Sequence, residues 1–280
     1  MISPQDDRIL ASTRIAAALV VPFLVIAFLI LYFFPGRSGD RFAWEIVPNM
    51  TASFMGAGYL GGSWLFLNAI FGRRWHRVAP GFLPVTVFAA AMLLVTVLHW
   101  TRFDIRHFPF ELWLVLYVVT PVLIPWVWIR NRVSDFGAPE EDDVAVPRWA
   151  RWGLRLLGAV LLGFGVIAFL EPDLLIPVWP WSLTLLTARF LTGWFALLGV
   201  GGLVISLDAR WSAWRVGLQS IAIWHVLVLI AAIINRNEFP AGMKNWYLIS
   251  VALVLVGMAV LYIDMELKRR KQRSADRRAG

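Results

Sequence analysis

Eight long apolar stretches are the feature that most constrains how this chain folds. About 20 consecutive apolar residues are needed to cross a bilayer hydrocarbon core of about 30 Å. Backbone N–H and C=O groups must be paired in lipid, so stretches of this length are predicted to be α-helices. The expected spans cover roughly residues 14–35, 48–71, 81–101, 109–129, 152–170, 182–206, 215–234 and 246–263.

Composition supports a membrane protein and excludes thiol chemistry. Hydrophobic residues make up 59% of the 280 residues and charged residues only 16%, which excludes an ordinary soluble domain. Most of the 16 tryptophans lie at or near the ends of the expected spans, where indole rings occupy the headgroup region. The chain has no cysteine, so disulfides and thiolate metal ligands are excluded.

The two halves of the chain resemble each other, and in one pair of segments the match has no gap. RIAAALVVPFLVIAFL in the first half aligns with RLLGAVLLGFGVIAFL in the second, and both end in VIAFL. Self-similarity of this kind indicates a repeat architecture. We therefore predict an all-α membrane protein with eight transmembrane helices, arranged as two tandem parallel four-helix repeats. The aligned segments are 14–29 with 155–170, 44–62 with 180–198, and 73–78 with 209–216.

The repeat divides the chain into four parts. Residues 1–130 form the first four-helix repeat and residues 150–267 the second. Residues 131–149 contain five acidic residues, two prolines and a glycine, which is typical of a solvated cytoplasmic linker. Residues 268–280 form a basic cytoplasmic tail.

Lysine and arginine predict the orientation. With the N-terminus inside, 19 of the 26 basic residues lie in cytoplasmic segments and six in outer segments. Basic residues concentrate on the cytoplasmic side, so both termini are expected in the cytoplasm and the protein in a plasma (inner) membrane. The tail contributes +6 of the net charge of +8. We expect it to bind anionic lipid of the bilayer and not nucleic acid. Oligomeric state is not predicted.

Arg189 is the one basic residue that lies within a predicted span and is assigned to neither side of the membrane. It lies in the segment TARFL, whose counterpart TASFM in the first half has Ser53 at the equivalent position. Intramembrane charges are rare and indicate function by default. One interpretation is that Arg189 extends along its helix to the outer headgroups without any function. The other is that it faces the bundle interior and binds a carboxylate or an anion.

Other polar residues lie close to the predicted outer boundary. The neighbours expected for Arg189 in a ligand site are Glu45, Asn49, His99, Arg102 and Glu171. The competing interpretation is that polar residues belong at wet hairpin ends. No His or Glu spacing typical of a metal site occurs, and no cofactor is predicted.

A glycine-rich segment, GAGYLG at residues 56–61, has the letters of a dinucleotide fingerprint. That fingerprint requires a preceding strand and a helix that begins at the glycines, and here the segment lies inside a span. Gly58 and Gly62 instead form G-x-x-x-G, which predicts close helix packing.

Three classes of function remain open. The favoured hypothesis is a transporter or binder of a small amphipathic anion or lipid, through an outward-facing pocket between the repeats. One alternative is a membrane-embedded enzyme on a lipid or isoprenoid substrate, with His99 and a carboxylate in acid–base roles. The other is a structural subunit of a membrane complex. A transporter predicts a polar path to mid-membrane, whereas a subunit predicts a solid interior.

Overall fold

The structure, a computed structural model, describes residues 6–279 and the side chains of residues 6–275. Eight helices in this part of the chain are long and apolar enough to cross a membrane, so all eight expected spans are confirmed as helices. Short helical turns join several of them. The helices are α1 (Ala11–Phe33), α2 (Asn49–Phe71), α3 (Phe82–Leu98), α4 (Phe108–Asn131), α5 (Arg148–Leu170), α6 (Leu185–Ile205), α7 (Trp211–Ile234) and α8 (Met243–Ala279).

The two ends of the bundle contain different polar residues. The proximal end, at which α1 begins, contains His76, Asp143 and Ser212. The opposite, distal end contains His99 and Arg189.

Helices of one half pack against helices of the other. Within each half the first helix lies along the second, α1 along α2 and α5 along α6. Between the halves, α2 packs on α7 and α3 packs on α6. The second and third helices of each half therefore form the centre of the bundle, with α1, α4, α5 and α8 on its periphery.

Three glycines allow α5 and α6 to approach closely. A Cβ atom added at Gly158 would lie 2.8 Å from the Gly199 carbonyl oxygen, and one at Gly199 would lie 2.7 Å from the Leu162 nitrogen. At Gly202 an added Cβ would lie 3.2 Å from Gly158 Cα. Any side chain at these positions would push the helices apart, and this is the small-residue packing typical of membrane helices.

Arginines bind the proximal ends of the second helix in each half. Arg14 on α1 donates to the carbonyl oxygens of Ile70 and Gly72 at the end of α2, the latter over 2.7 Å. Arg155 on α5 donates to the Ser206 carbonyl at the end of α6 over 3.4 Å. These carbonyls have no partner within their own helices, and the negative end of the helix dipole attracts the cation.

The last helix continues beyond the membrane. Its 37 residues correspond to a length of about 55 Å, well over the bilayer core of about 30 Å. The predicted tail at residues 268–280 is a continuation of this helix as far as Ala279, and residue 280 lies outside the described residues.

Candidate functional site

Arg189 joins the distal ends of three helices. A capping box between Thr184 and Thr187 begins α6, and Arg189 follows one half-turn later. Its Nε atom donates to the Phe169 carbonyl of α5 over 3.2 Å, and Nη1 lies 2.9 Å from Nε2 of His99, which follows α3. A guanidinium group can only donate, so Nε2 of His99 is the acceptor and that imidazole is neutral.

The other residues predicted around Arg189 do not gather there. Glu45, Arg102 and Glu171 are all exposed. In the part of the chain that the structure describes, neither carboxylate pairs with Arg189. A ligand at Arg189 therefore stays a prediction, because its described contacts are those of a group that connects helix ends.

Asn49 is the first residue of α2, and Glu238 caps the start of this helix. The backbone N–H of Asn49 donates to Glu238 over 3.0 Å, and the N–H of Met50 donates to the same carboxylate over 2.6 Å. A carboxylate at this position satisfies two unpaired N–H groups of α2 and interacts favourably with the helix dipole. Glu238, in the α7–α8 loop, was not among the predicted site residues.

Gly58 and Gly62 face different helices. At Gly58 an added Cβ would lie 2.4 Å from the Trp194 ring of α6, so this glycine leaves room for an indole. At Gly62 the nearest atom is Leu24 Cδ1 of α1, 3.6 Å away, which is an ordinary contact. The two glycines do not form one surface for one partner helix.

Aromatic rings fill the centre of the bundle between the halves. The Trp194 ring lies 4.8 Å from Trp224 and 4.4 Å from Phe88, measured between centroids. Phe54 lies 5.2 Å from Trp224, and Tyr59 lies 5.7 Å from Trp194. The space in which a pocket between the repeats was predicted is occupied by these side chains.

A lateral groove opens instead between the distal halves of α1 and α4. Its volume is about 160 Å³ and its lining is almost wholly apolar. The walls come from residues 22–30 of α1 and 109–117 of α4. Proline at position 22 and at position 109 contributes to the two walls.

The groove ends near the middle of the bundle at a pair of tyrosines. The hydroxyl groups of Tyr59 and Tyr117 lie 3.1 Å apart, and both side chains are buried. Tyr59 lies ten residues after the start of α2, which corresponds to about 15 Å along the helix. That distance is half of a hydrocarbon core of about 30 Å, so the groove has the depth of one leaflet.

Arg41 lies at the distal rim of the groove. It is half-buried, and its guanidinium carbon lies 4.6 Å from the centre of the Phe34 ring. The adjacent Asp40 pairs with Arg37 over 3.8 Å. Among the residues that the structure describes, no carboxylate pairs with Arg41, so its charge is available to an external anion.

The proximal end contains a buried polar chain that we call the clasp: Asp7, His76, Ser212 and Asp143. Asp7 accepts from the backbone N–H of His76 over 3.0 Å and from its ring Nδ1. Asp143 accepts in the same way from Ser212, from the backbone N–H over 3.0 Å and from the hydroxyl over 2.5 Å. The link between the two pairs is a contact of 2.8 Å between His76 Nε2 and Ser212 Oγ.

His76 is a cation at neutral pH. Burial by itself lowers the pKa of His76, but hydrogen bonds to Asp7 and Glu140 more than offset burial and raise the pKa to about 9. Burial likewise raises the pKa of Glu140, yet hydrogen bonds from His76 and Arg77 hold that pKa far below its usual value. The clasp is therefore an ionic assembly and not a set of neutral groups.

The clasp is not a nucleophilic site. Carboxylate, imidazole and hydroxyl follow one another as in a serine-hydrolase triad, where a neutral histidine accepts the serine proton. Here the protonated His76 donates to Ser212, and the serine proton is donated to Asp143. Ser212 is only 2% exposed, so no substrate reaches it.

The acidic linker is part of this assembly, although several of its residues, such as Glu141, are exposed. Glu140 accepts from Arg77 over 2.5 and 2.6 Å. Asp142 pairs with Arg269 of α8 over 2.9 Å. The linker is held because its carboxylates neutralise bases from the α2–α3 loop and from α8.

No protein-family model, curated protein or solved structure matches this chain. One sequence signal pointed to the clasp and was missed. The sequence separation between Asp7 and Asp143 equals that between His76 and Ser212. It also equals the separation of the aligned pair Thr51 and Thr187.

Proposed function

We propose that this membrane protein binds an anionic amphiphile, with its apolar chain in the groove between α1 and α4 and its headgroup on Arg41. The observation that carries the proposal is a groove one leaflet deep with an arginine at its rim that makes no ion pair with a described residue. Apolar walls suit a lipid chain. A guanidinium group suits a phosphate or carboxylate headgroup.

Binding is favoured over transport by the packing of the bundle centre. The tilted, closely packed aromatic rings of Phe88, Trp194 and Trp224 lie where a path between the halves would run. A filled centre also suits the structural-subunit alternative. The groove favours a binder, since a subunit that only packs against other chains has no need of a headgroup-level cation above an apolar crevice.

Parallel repeats and a cytoplasmic proximal end are part of the proposal. Reciprocal contacts support the repeat, because Arg14 and Arg155 bind equivalent helix ends and Asp7 and Asp143 make equivalent contacts. The excess of lysine and arginine supports a cytoplasmic proximal end, which places the groove in the outer leaflet of a plasma membrane.

The test is photo-crosslinking with phosphatidylglycerol that carries a diazirine on its acyl chain, in nanodiscs that hold the full chain. Wild-type protein is expected to be labelled within residues 22–30 and 109–117. Ala27→Trp fills the groove and should abolish this labelling. Ala18→Trp is the matched control, because Ala18 is exposed on the same helix and outside the groove.

The headgroup contact is tested by three single substitutions. Arg41→Gln should weaken phosphatidylglycerol binding about fivefold, because one cation near a lipid headgroup contributes about 1 kcal/mol to binding. Arg37→Gln, at an exposed neighbour, should leave it unchanged. Labelling that survives Ala27→Trp and Arg41→Gln but is lost in Arg189→Gln would place the ligand at Arg189 and overturn the groove proposal.

A further inference from the structure

Three arginines form a cluster at the start of α5. Arg148, Arg151 and Arg155 surround a shallow cavity of about 160 Å³ together with Trp152. Spacings of three and four residues place them on one face of the helix. Elsewhere at the proximal end, carboxylates neutralise bases such as Arg77. In residues 6–275 no carboxylate pairs with the three arginines of this cluster.

Two of the three guanidinium groups are held in place. Arg151 donates through Nε to Ser206 O and through Nη2 to Leu207 O, both over 3.1 Å. Arg155 donates to the Ser206 hydroxyl over 3.2 Å and lies 4.5 Å from the Trp152 ring centre. In the described part of the chain, Nη1 of each has no acceptor. Arginines held in this way bind an anion without first losing side-chain freedom.

The surroundings of the cluster are those of a membrane interface. Trp149 is 72% exposed, Trp152 64% and Leu156 69%, all in the first turns of a helix that spans the membrane. Exposed tryptophan beside arginine at a helix end is typical of headgroup depth. An anion bound here would therefore lie level with lipid phosphates.

We infer that Arg148, Arg151 and Arg155 bind the phosphate of an anionic membrane lipid at the proximal end. This site is separate from the groove and does not depend on the proposed function. The first half offers an internal comparison. Arg14 aligns with Arg155 and binds helix-end carbonyls in the same way, but α1 begins only three residues before Arg14, so its start has no counterparts of Arg148 and Arg151. The inference therefore applies to the second half alone.

Native mass spectrometry of the full chain in detergent tests this site with phosphatidylglycerol and phosphatidylcholine of equal chain length. Arg148→Gln should weaken phosphatidylglycerol binding about fivefold, because each cation near the headgroup contributes about 1 kcal/mol to binding. Arg148 is exposed and makes no hydrogen bond with a described residue, so this variant should keep the wild-type melting temperature.

Arg130→Gln is the matched control. Arg130 is also exposed at the proximal end and lies 4.9 Å from the Trp126 ring centre, but it has no neighbouring arginine cluster. Equal losses in the two variants would show a general charge effect and overturn the site. In a second experiment, inorganic phosphate competes with the lipid for the site. If it displaced the lipid at equal concentration, the site would bind a free anion and the lipid assignment would be overturned.

Discussion

The two ends of the bundle differ in what their arginines contact. At the proximal end, Arg77, Arg210 and Arg269 each pair with carboxylates from distant parts of the chain. At the distal end, Arg41 and Arg189 make no ion pair with a described residue, and their contacts are an aromatic ring, a carbonyl oxygen and an imidazole. Ion-paired arginines hold distant segments together. An arginine without a carboxylate can instead keep its charge for an external anion, as proposed for Arg41 and for the cluster at the start of α5.

The largest expected effect comes from breaking the ion pairs of Arg210. This residue donates to both oxygens of Asp135 over 2.8 Å and pairs with Asp208 over 2.7 Å. Arg210→Ala leaves two largely buried carboxylates without a cation and should lower the free energy of unfolding by about 3–5 kcal/mol. Titration with SDS from detergent micelles measures this. Arg41→Ala should change the free energy of unfolding by less than about 0.5 kcal/mol. Equal effects of Arg210→Ala and Arg41→Ala would refute the contrast between the ends.

A smaller effect is expected from deprotonation of His76. A pKa raised to about 9 means that the folded protein binds this proton more tightly than the unfolded chain does. The stabilisation is fully present below a pH of about 6.5, the unfolded value, and is lost as the pH rises through about 9. It corresponds to about 3 kcal/mol.

Unfolding measured between pH 7 and pH 10 should show this loss in the wild type. His76→Gln should remove most of the pH dependence. His99→Gln, which changes the distal histidine, should keep the wild-type profile. A His76→Gln protein that loses stability over this range as steeply as the wild type would show that the clasp is not the titrating group.

The smallest effect is expected from the hydroxyl that joins the two halves of the clasp. Ser212→Ala removes one partner from His76 and one from Asp143 and should lower the free energy of unfolding by about 1–3 kcal/mol. Ser250→Ala is the control, because Ser250 is bonded only to a carbonyl of its own helix. A change in Ser212→Ala no larger than that in the control would mean that the clasp does not connect the halves.

Part of this architecture was predictable and part was not. The eight spans were predicted because each depends on the apolarity of its own residues, and the helices begin and end close to the expected positions, except that α8 continues well past residue 263. The contacts of the linker were not predicted, because its acids resemble those of a solvated segment. The partner of Glu140 is Arg77, 63 residues away. Composition does not reveal such a pairing.

The candidate site shows the same division. Arg189 was singled out because a charge within a span is conspicuous, and its contact with His99 brings together two of the predicted residues. The groove was not predicted. It exists because α1, which ends at Phe33, and α4, which begins 75 residues later at Phe108, lie side by side without closing over Tyr59 and Tyr117.

The amino-acid sequence by itself determined that this chain forms eight membrane helices, since an apolar stretch in lipid has no other way to pair its backbone. Only the tertiary structure decided which charges are neutralised. Desolvated ions require partners at hydrogen-bonding distance, and those of His76 come from three remote segments, at Asp7, Glu140 and Ser212. The packing of the helices determined those partners. It left Arg41 at the rim of the groove without a carboxylate partner among the described residues.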